Sequence, residues 1–377
     1  MESFAELKKF MHRHRTRKSA RVFALLTCTG MACSAVIAAQ SSFADDTAFA
    51  QAQRRIDIGN GQHFNLYCTG TGTPTVVFES GIGDWGFSWA MVQPSVARLT
   101  QTCTYDRAGL GFSDAARRAS TSSHMVDDLH SLLQIAHVAP PYVLVGHSLG
   151  GLNVRLYADR FREEVVGMVL VDPTHEDGIR RIDAQKNNQE SRRYALEIAR
   201  AKSCLRKSQH EAETPQFRTS CIEPDDPAYS TGLNDARVQI ARKPSYQRAQ
   251  LSEITNYANG TSFAEVRAAR RWFGALPLVV LTASRTTENI GPEWPRFHQE
   301  LAALSRLGVQ CTVTNSGHYI QRDQPKIVIA AISQVLVQAR QLQLALATDA
   351  GFDYTLTPKL PLTASSCPDQ RLDTPPP

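Results

Sequence analysis

Apolar residues along this chain fall into short β-rich runs separated by stretches of helical spacing. The runs are Pro74–Phe78, Cys103–Tyr105, Tyr142–Val145 and Val165–Val171. Helical patterns follow at 85–99, 121–138 and 149–161, and Thr121 suits the N-cap of the second. Runs this uniformly apolar are buried on both faces. Their alternation with helices predicts βαβ units and a mostly parallel central sheet flanked by helices. Two shorter strands, Arg54–Ile58 and His63–Cys68, flank the hairpin turn pair Asn60-Gly61.

The alternation breaks at 176–270. That stretch is charged, favours helix and carries Pro215, Pro224, Pro227 and Pro244, so it reads as a helical insertion over the core. Strand-like runs resume at Leu276–Ala283 and Val309–Thr314, and an amphipathic helix runs from Pro325 to Thr348. The expected division is therefore 54–175 and 271–348 for the two parts of an α/β core, 176–270 for a cap and 349–377 for a tail. The tail ends in three prolines and is expected to be poorly ordered unless Cys367 tethers it.

Charge changes the picture at the N-terminus. The formal net charge is +5, but residues 1–44 hold seven Lys/Arg against Glu2 and Glu6, and the remainder carries 34 of each sign. A neutral body argues against a nucleic-acid partner, which needs a clustered basic face. The basic stretch precedes the apolar run Val22–Ala39 and then small polar residues, the order of a secretory signal. Cleavage before Asp45 fits Ser42-Phe43-Ala44, and Ala48-Phe49-Ala50 offers a second site. An uncleaved membrane anchor is the alternative, since a span needs about 20 residues. No later segment reads as long and apolar enough to span a membrane, so a periplasmic or secreted protein is expected. Beyond residue 44 six cysteines remain, and an exported chain can pair them. The favoured pairing is Cys68–Cys103 and Cys204–Cys221, leaving Cys311–Cys367, with buried free thiols as the alternative. Their spacing resembles no zinc site.

The strongest chemical signal is Val143-Leu144-Val145-Gly146-His147-Ser148-Leu149-Gly150-Gly151. A buried strand runs into Gly-x-Ser-x-Gly and a helix follows. So tight a turn strains the serine backbone and needs glycine at 146 and 150, where side chains would clash. The hydroxyl then projects above the sheet edge, and the helix N-terminus behind it favours developing negative charge.

With this motif and the segment Tyr105-Asp106-Arg107-Ala108-Gly109-Leu110-Gly111-Phe112-Ser113-Asp114, the chain resembles the α/β-hydrolase superfamily over 54–345. That resemblance implies an α/β-hydrolase fold with a helical cap after the sixth strand. In relatives the loop holding Asp106 and Arg107 supports the nucleophile turn. A serine hydroxyl needs a neighbouring base. Of eleven histidines, His318 lies in Asn315-Ser316-Gly317-His318-Tyr319, after the last strand run, where the superfamily carries its catalytic histidine. His147 adjoins the serine and is expected to shape the substrate pocket. Many members place an Asp just past the seventh strand, but Thr286 stands there. Two acids can substitute. Asp172 ends the sixth strand, where pancreatic-lipase-like members carry theirs, and Glu288 lies two residues past the usual place. Asp172 is preferred, because a strand terminus fixes a carboxylate better than a long loop. Glu176 and Asp177 are weaker candidates.

The oxyanion donors implied are the backbone N–H groups of Leu149 and of Ile82, in the loop Glu79-Ser80-Gly81-Ile82-Gly83-Asp84-Trp85. Trp85, Phe87 and Trp89 either line a substrate pocket or pack a helix on the sheet. The expected function is an exported, cofactor-free and metal-free serine hydrolase acting on small-molecule esters. Amide, peptide or lactone substrates are the alternatives, as is a catalytically silent binding protein. Serine at 148 argues against epoxide hydrolase and haloalkane dehalogenase chemistry, which needs a carboxylate nucleophile.

Overall fold

The buried runs become the middle of one eight-stranded sheet. The structure is a computed structural model, and it describes residues 46–59, 61–348 and 367. The expected signal segment 1–44, Asn60 of the hairpin turn and all of the tail but Cys367 lie outside the described residues. The strands are β1 Arg54–Asp57, β2 His63–Thr69, β3 Thr75–Glu79, β4 Thr102–Tyr105, β5 Tyr142–His147, β6 Val165–Val171, β7 Leu278–Ala283 and β8 Gly308–Val313. Their spatial order is β1-β2-β4-β3-β5-β6-β7-β8. β2 pairs antiparallel with β1 and with β4, and every other pair is parallel.

Alternate residues of each inner strand point to opposite faces, and both faces are covered. Val77, Leu144, Met168, Leu170 and Val280 pack under α1 (Ser122–Ile135) and α2 (Leu149–Arg160). The Thr121 side chain caps α1, accepting from His124 N–H at 3.3 Å. Val76, Phe78, Val143, Val145, Val169, Val279 and Leu281 pack against the last helix, Pro325–Thr348. By length and composition that helix could cross a membrane, which corrects the expectation that no later segment would. Its Val328, Ala331, Ile332 and Val335 are fully buried against the sheet, so its apolar face belongs to the core. Each of the Val and Ile side chains contributes about 1.5–3 kcal/mol by leaving water.

The expected helix at 85–99 is instead a 3-10 turn, Gly86–Trp89, and a separate single turn, Gln93–Val96. Pro94 fits only a first turn and so starts a new element rather than continuing one. Between β6 and β7 the chain makes six helices: α3 Gly178–Gln185, α4 Gln189–Ser208, α5 Pro215–Cys221, α6 Thr231–Ala241, α7 Pro244–Ala258 and α8 Thr261–Ala269. They form the cap. Beyond β7 come α9 Ser284–Ile290 and α10 Glu293–Ala302. Disulfides join Cys68 to Cys103 between β2 and β4, Cys204 to Cys221 within the cap, and Cys311 of β8 to Cys367.

Candidate active site

The C-terminal ends of β5, β6 and β7 lie side by side, and the candidate residues collect there. Ser148 follows β5 and precedes α2 with φ +54° and ψ −118°. For a non-glycine residue this conformation costs on the order of 1–3 kcal/mol and persists only where its surroundings enforce it. Gly146 and Gly150 enforce it by letting the strand and helix touch. A Cβ on Gly146 would stand 2.4 Å from the Gly150 carbonyl oxygen, and one on Gly150 would stand 2.3 Å from the Glu79 carbonyl oxygen. The Ser148 N–H donates to Val171 O at 3.2 Å, and Thr174 N–H donates to Ser148 O at 3.1 Å. The Ser148 turn is thereby stitched to the end of β6.

Asp172 is the next residue after β6, wholly buried, with φ +41°. Its N–H donates to Leu281 O at 2.8 Å. One carboxylate oxygen, Oδ2, lies 2.7 Å from Nδ1 of His318. The other, Oδ1, accepts from Ala283 N–H at 2.9 Å and from the Trp294 indole N–H at 2.8 Å. Burial pushes the Asp172 carboxyl up, but the hydrogen bond and charge of His318, with the Ala283 N–H, outweigh it and hold the group below its ordinary 3.8. An ionised Asp172 can only accept, so Nδ1 of His318 carries the proton and Nε2 is left as the basic nitrogen. Glu288 is exposed on α9. Glu176 is bound by Arg155 at 2.7 Å and Arg270 at 3.0 Å. Thr286, in the usual position of the acid, is buried with its hydroxyl unpartnered.

His147 does not open onto the surface, being 1% exposed. Its Nε2 donates to the His318 carbonyl at 2.9 Å, and its ring stacks obliquely on His318 and Tyr319 at 4.6 and 4.8 Å. It wedges the histidine loop against the loop after β3, where a Cβ on Gly81 would meet its ring at 2.9 Å.

Leu149 is the first residue of α2, so its N–H has no acceptor within the helix. Ile82 lies in the loop after β3, which Arg107 supports from below. The buried guanidinium donates to Ser80 O at 2.7 Å and to Gly81 O at 2.6 Å, and pairs with Glu79 at 3.0 Å and Glu253 at 2.7 Å. Burial pulls Arg107 down, but Glu253 and Glu79 more than reverse this and hold it well above its ordinary value. Asp106 accepts from Asn65, Gly86 N–H and Phe112 N–H at 2.9–3.0 Å, as a supporting residue should. Trp89 is core, against Phe78 at 4.9 Å. Trp85 is buried against Phe87 and Tyr246, and both it and Phe87 also line a cleft with Ile82, Tyr246 and Arg237.

The profile of the family described as "Alpha/beta hydrolase family" matches residues 76–331. The chain belongs to the alpha/beta hydrolase family. Among curated relatives, an uncharacterized protein of Bacillus subtilis (strain 168), YqjL, is 27% identical over 274 residues, which is 72% of this chain and 87% of YqjL. Four larger relatives, from Hormonema carpetanum, Schizosaccharomyces pombe and two strains of Saccharomyces cerevisiae, are matched over only 15–17% of their own length. Among solved structures, the epoxide hydrolase CorEH superposes with a TM-score of 0.55 at 18% identity, covering 76% of this chain and 99% of that one. DBJA superposes with a TM-score of 0.59 at 15% identity, covering 78% and 99%.

In this alpha/beta hydrolase three contributors, two beside Asp172 and one on the loop after β3, carried no sequence signal. The first is Trp294, whose indole N–H donates to Asp172. His298 is wholly buried beneath it, with Nε2 3.0 Å from Pro173 O and Nδ1 2.7 Å from Thr282 Oγ1. Burial, only partly offset by Asp172, drops His298 to about 4. It is neutral at pH 7, donates through Nε2 and accepts from the Thr282 hydroxyl. The third is Glu253, whose carboxylate comes from α7 of the cap and reaches Arg107. Each lies more than 100 residues from its partner or on another element, so local periodicity could not reveal the contact.

Proposed function

We propose that this chain is a serine hydrolase that cleaves carboxylic esters through an acyl-enzyme. The observation that supports it most is the 2.7 Å contact of His318 Nδ1 with a buried, ionised Asp172, beside a serine held at φ +54° on the adjoining strand end. In this reading Ser148 Oγ attacks the ester carbonyl and its proton passes to His318 Nε2. The N–H groups of Leu149 and Ile82 receive the negative charge on the carbonyl oxygen. The C–O bond breaks, and the alcohol leaves with the proton held by His318. Water, deprotonated by the same nitrogen, attacks the acyl-Ser148 ester; the Ser148 oxygen leaves as it takes that proton from His318, and the carboxylic acid departs. Asp172 fixes the ring and offsets its positive charge. Attack by a hydroxyl on an epoxide or haloalkane carbon would instead leave an ether, which water does not hydrolyse. This chemistry separates the chain from the activity named for CorEH despite the shared fold. Three disulfides among the described residues fit an extracellular or other oxidising compartment.

The test is labelling of the intact protein by a fluorophosphonate probe beside Ser148→Ala, with p-nitrophenyl esters of graded length as substrates. Labelling and turnover in the wild type alone support the reading. A wild type that neither labels nor turns over any ester would favour a silent binding protein.

A further inference from the structure

One stripe of the cap helix α7 touches the proposed oxyanion loop. Tyr246, Gln250 and Glu253 stand at i, i+4 and i+7 of α7 and so share a face. That face closes on Gly83. The Glu253 carboxylate accepts from Gly83 N–H at 2.8 Å, and the Tyr246 hydroxyl donates to Gly83 O at 3.0 Å. Gln250 packs so near that a Cβ on Gly83, already at φ +72°, would meet its amide at 2.7 Å. Both peptide groups of Gly83 are thus held from the cap.

The same carboxylate acts once more through Arg107. Glu253 Oε1 takes Arg107 Nε at 2.7 Å, and Oε2 takes Nη2 at 3.1 Å. Nη2 donates in turn to Gly81 O at 2.6 Å. Gly81 O and Ile82 N–H belong to one planar trans peptide, in which they point in opposite directions. Holding the oxygen on Arg107 therefore aims the Ile82 N–H the other way. All of Glu253, Arg107 and Glu79 are buried, 1–4% exposed, so water cannot substitute for the missing partner.

We propose that Glu253, with Tyr246, is a positioning residue supplied by the cap, which aims the Ile82 N–H at the oxyanion. The cap helix α7 is then part of the site's frame and cannot swing away as a free lid without breaking a buried ion pair. This inference rests on the serine-hydrolase reading above. It predicts an effect on the charged intermediate and little effect on ester binding.

The experiment compares the full-length wild type, Glu253→Gln, Tyr246→Phe and Ser148→Ala on one p-nitrophenyl ester, with phenylboronic acid as a mimic of the tetrahedral adduct. Glu253→Gln is expected to lower kcat about 10–100-fold with KM within about threefold, and to weaken phenylboronic acid by a similar factor. Tyr246→Phe leaves the Arg107–Glu253 pair intact and should lower kcat about 3–10-fold in the same pattern. It decides the matter if Glu253→Gln does not fold by circular dichroism. Wild-type kcat in the folded variants would overturn the positioning role, as would a loss of kcat with boronate affinity unchanged. Activity that survives Ser148→Ala, or is absent from the wild type, would overturn the hydrolase reading itself and the inference with it.

Discussion

Trp294 donates its indole N–H to Oδ1 of Asp172 at 2.8 Å, on the carboxylate whose other oxygen meets His318 at 2.7 Å. A helix beyond β7 thereby secures an acid that grows from β6. The position where many relatives carry their acid holds Thr286, a buried hydroxyl. Asp172 stands one strand away along the sheet edge, and its carboxylate contacts His318.

This arrangement predicts unequal effects of two acid substitutions. Asp172→Asn should lower kcat for an ester by about 10³–10⁴-fold, because the amide no longer fixes the Nδ1–H tautomer. Glu288→Gln should leave kcat within about twofold. Trp294→Phe removes one of the donors to Oδ1 and should cost on the order of tenfold. Steady-state kinetics on the three variants checks this, and a large loss in Glu288→Gln with none in Asp172→Asn would transfer the role of the acid.

A second prediction concerns pH and stability. Burial pushes the Asp159 carboxyl on α2 up to about 7, with the charge of Arg155 and the Arg271 N–H offsetting part of the rise. A folded-state value above the unfolded one means that the native state holds the proton more tightly. The stability this contributes is complete below about 4 and is lost as pH rises through about 7. Asp159→Asn keeps the acceptor for Arg271 N–H and does not ionise. Its Tm relative to wild type should therefore climb between pH 4 and pH 8. Thermal melts across that range read the difference directly, and a gap independent of pH would refute it.

The third prediction concerns the N-terminus. Asp46 accepts from Ser230 N–H at 2.8 Å and from its hydroxyl at 2.5 Å, and Phe49 is buried against Tyr67 at 5.3 Å between their rings. Residues 46–50 thus strap the cap to the sheet. Export cleavage before Asp45 keeps that strap, while cleavage after Ala50 removes it. Mass spectrometry of the natively produced protein should find Asp45 first. A chain begun at Gln51 should lose the burial of Phe49, about 1.5–3 kcal/mol, and melt several degrees lower. A mature N-terminus at Gln51 with an unchanged Tm would remove the strap's significance, and an intact Met1 would indicate an anchor.

Much of the fold was legible because its signals are local. Val165–Val171 matches β6 residue for residue, and the last helix spans Pro325–Thr348 as its amphipathic pattern indicates. The apolar spacing of 85–99 suits a helix, whereas Pro94 sits in the first turn of a new element and the stretch forms two short turns. The hydropathy of Pro325–Ala345 would suit a membrane as well as a core, and only the sheet beneath it distinguishes them.

What the residues determined by themselves was the tight turn at Ser148, while the resemblance to the superfamily singled out His318. Gly146, Ser148 and Gly150 answer to a steric demand within a few bonds, and such a demand leaves a motif. Which carboxylate meets His318, what Trp294 holds and how Glu253 reaches Gly83 were decided only by tertiary structure. These are single contacts between groups far apart in the chain, and a contact of that kind imposes no periodicity on the residues around it.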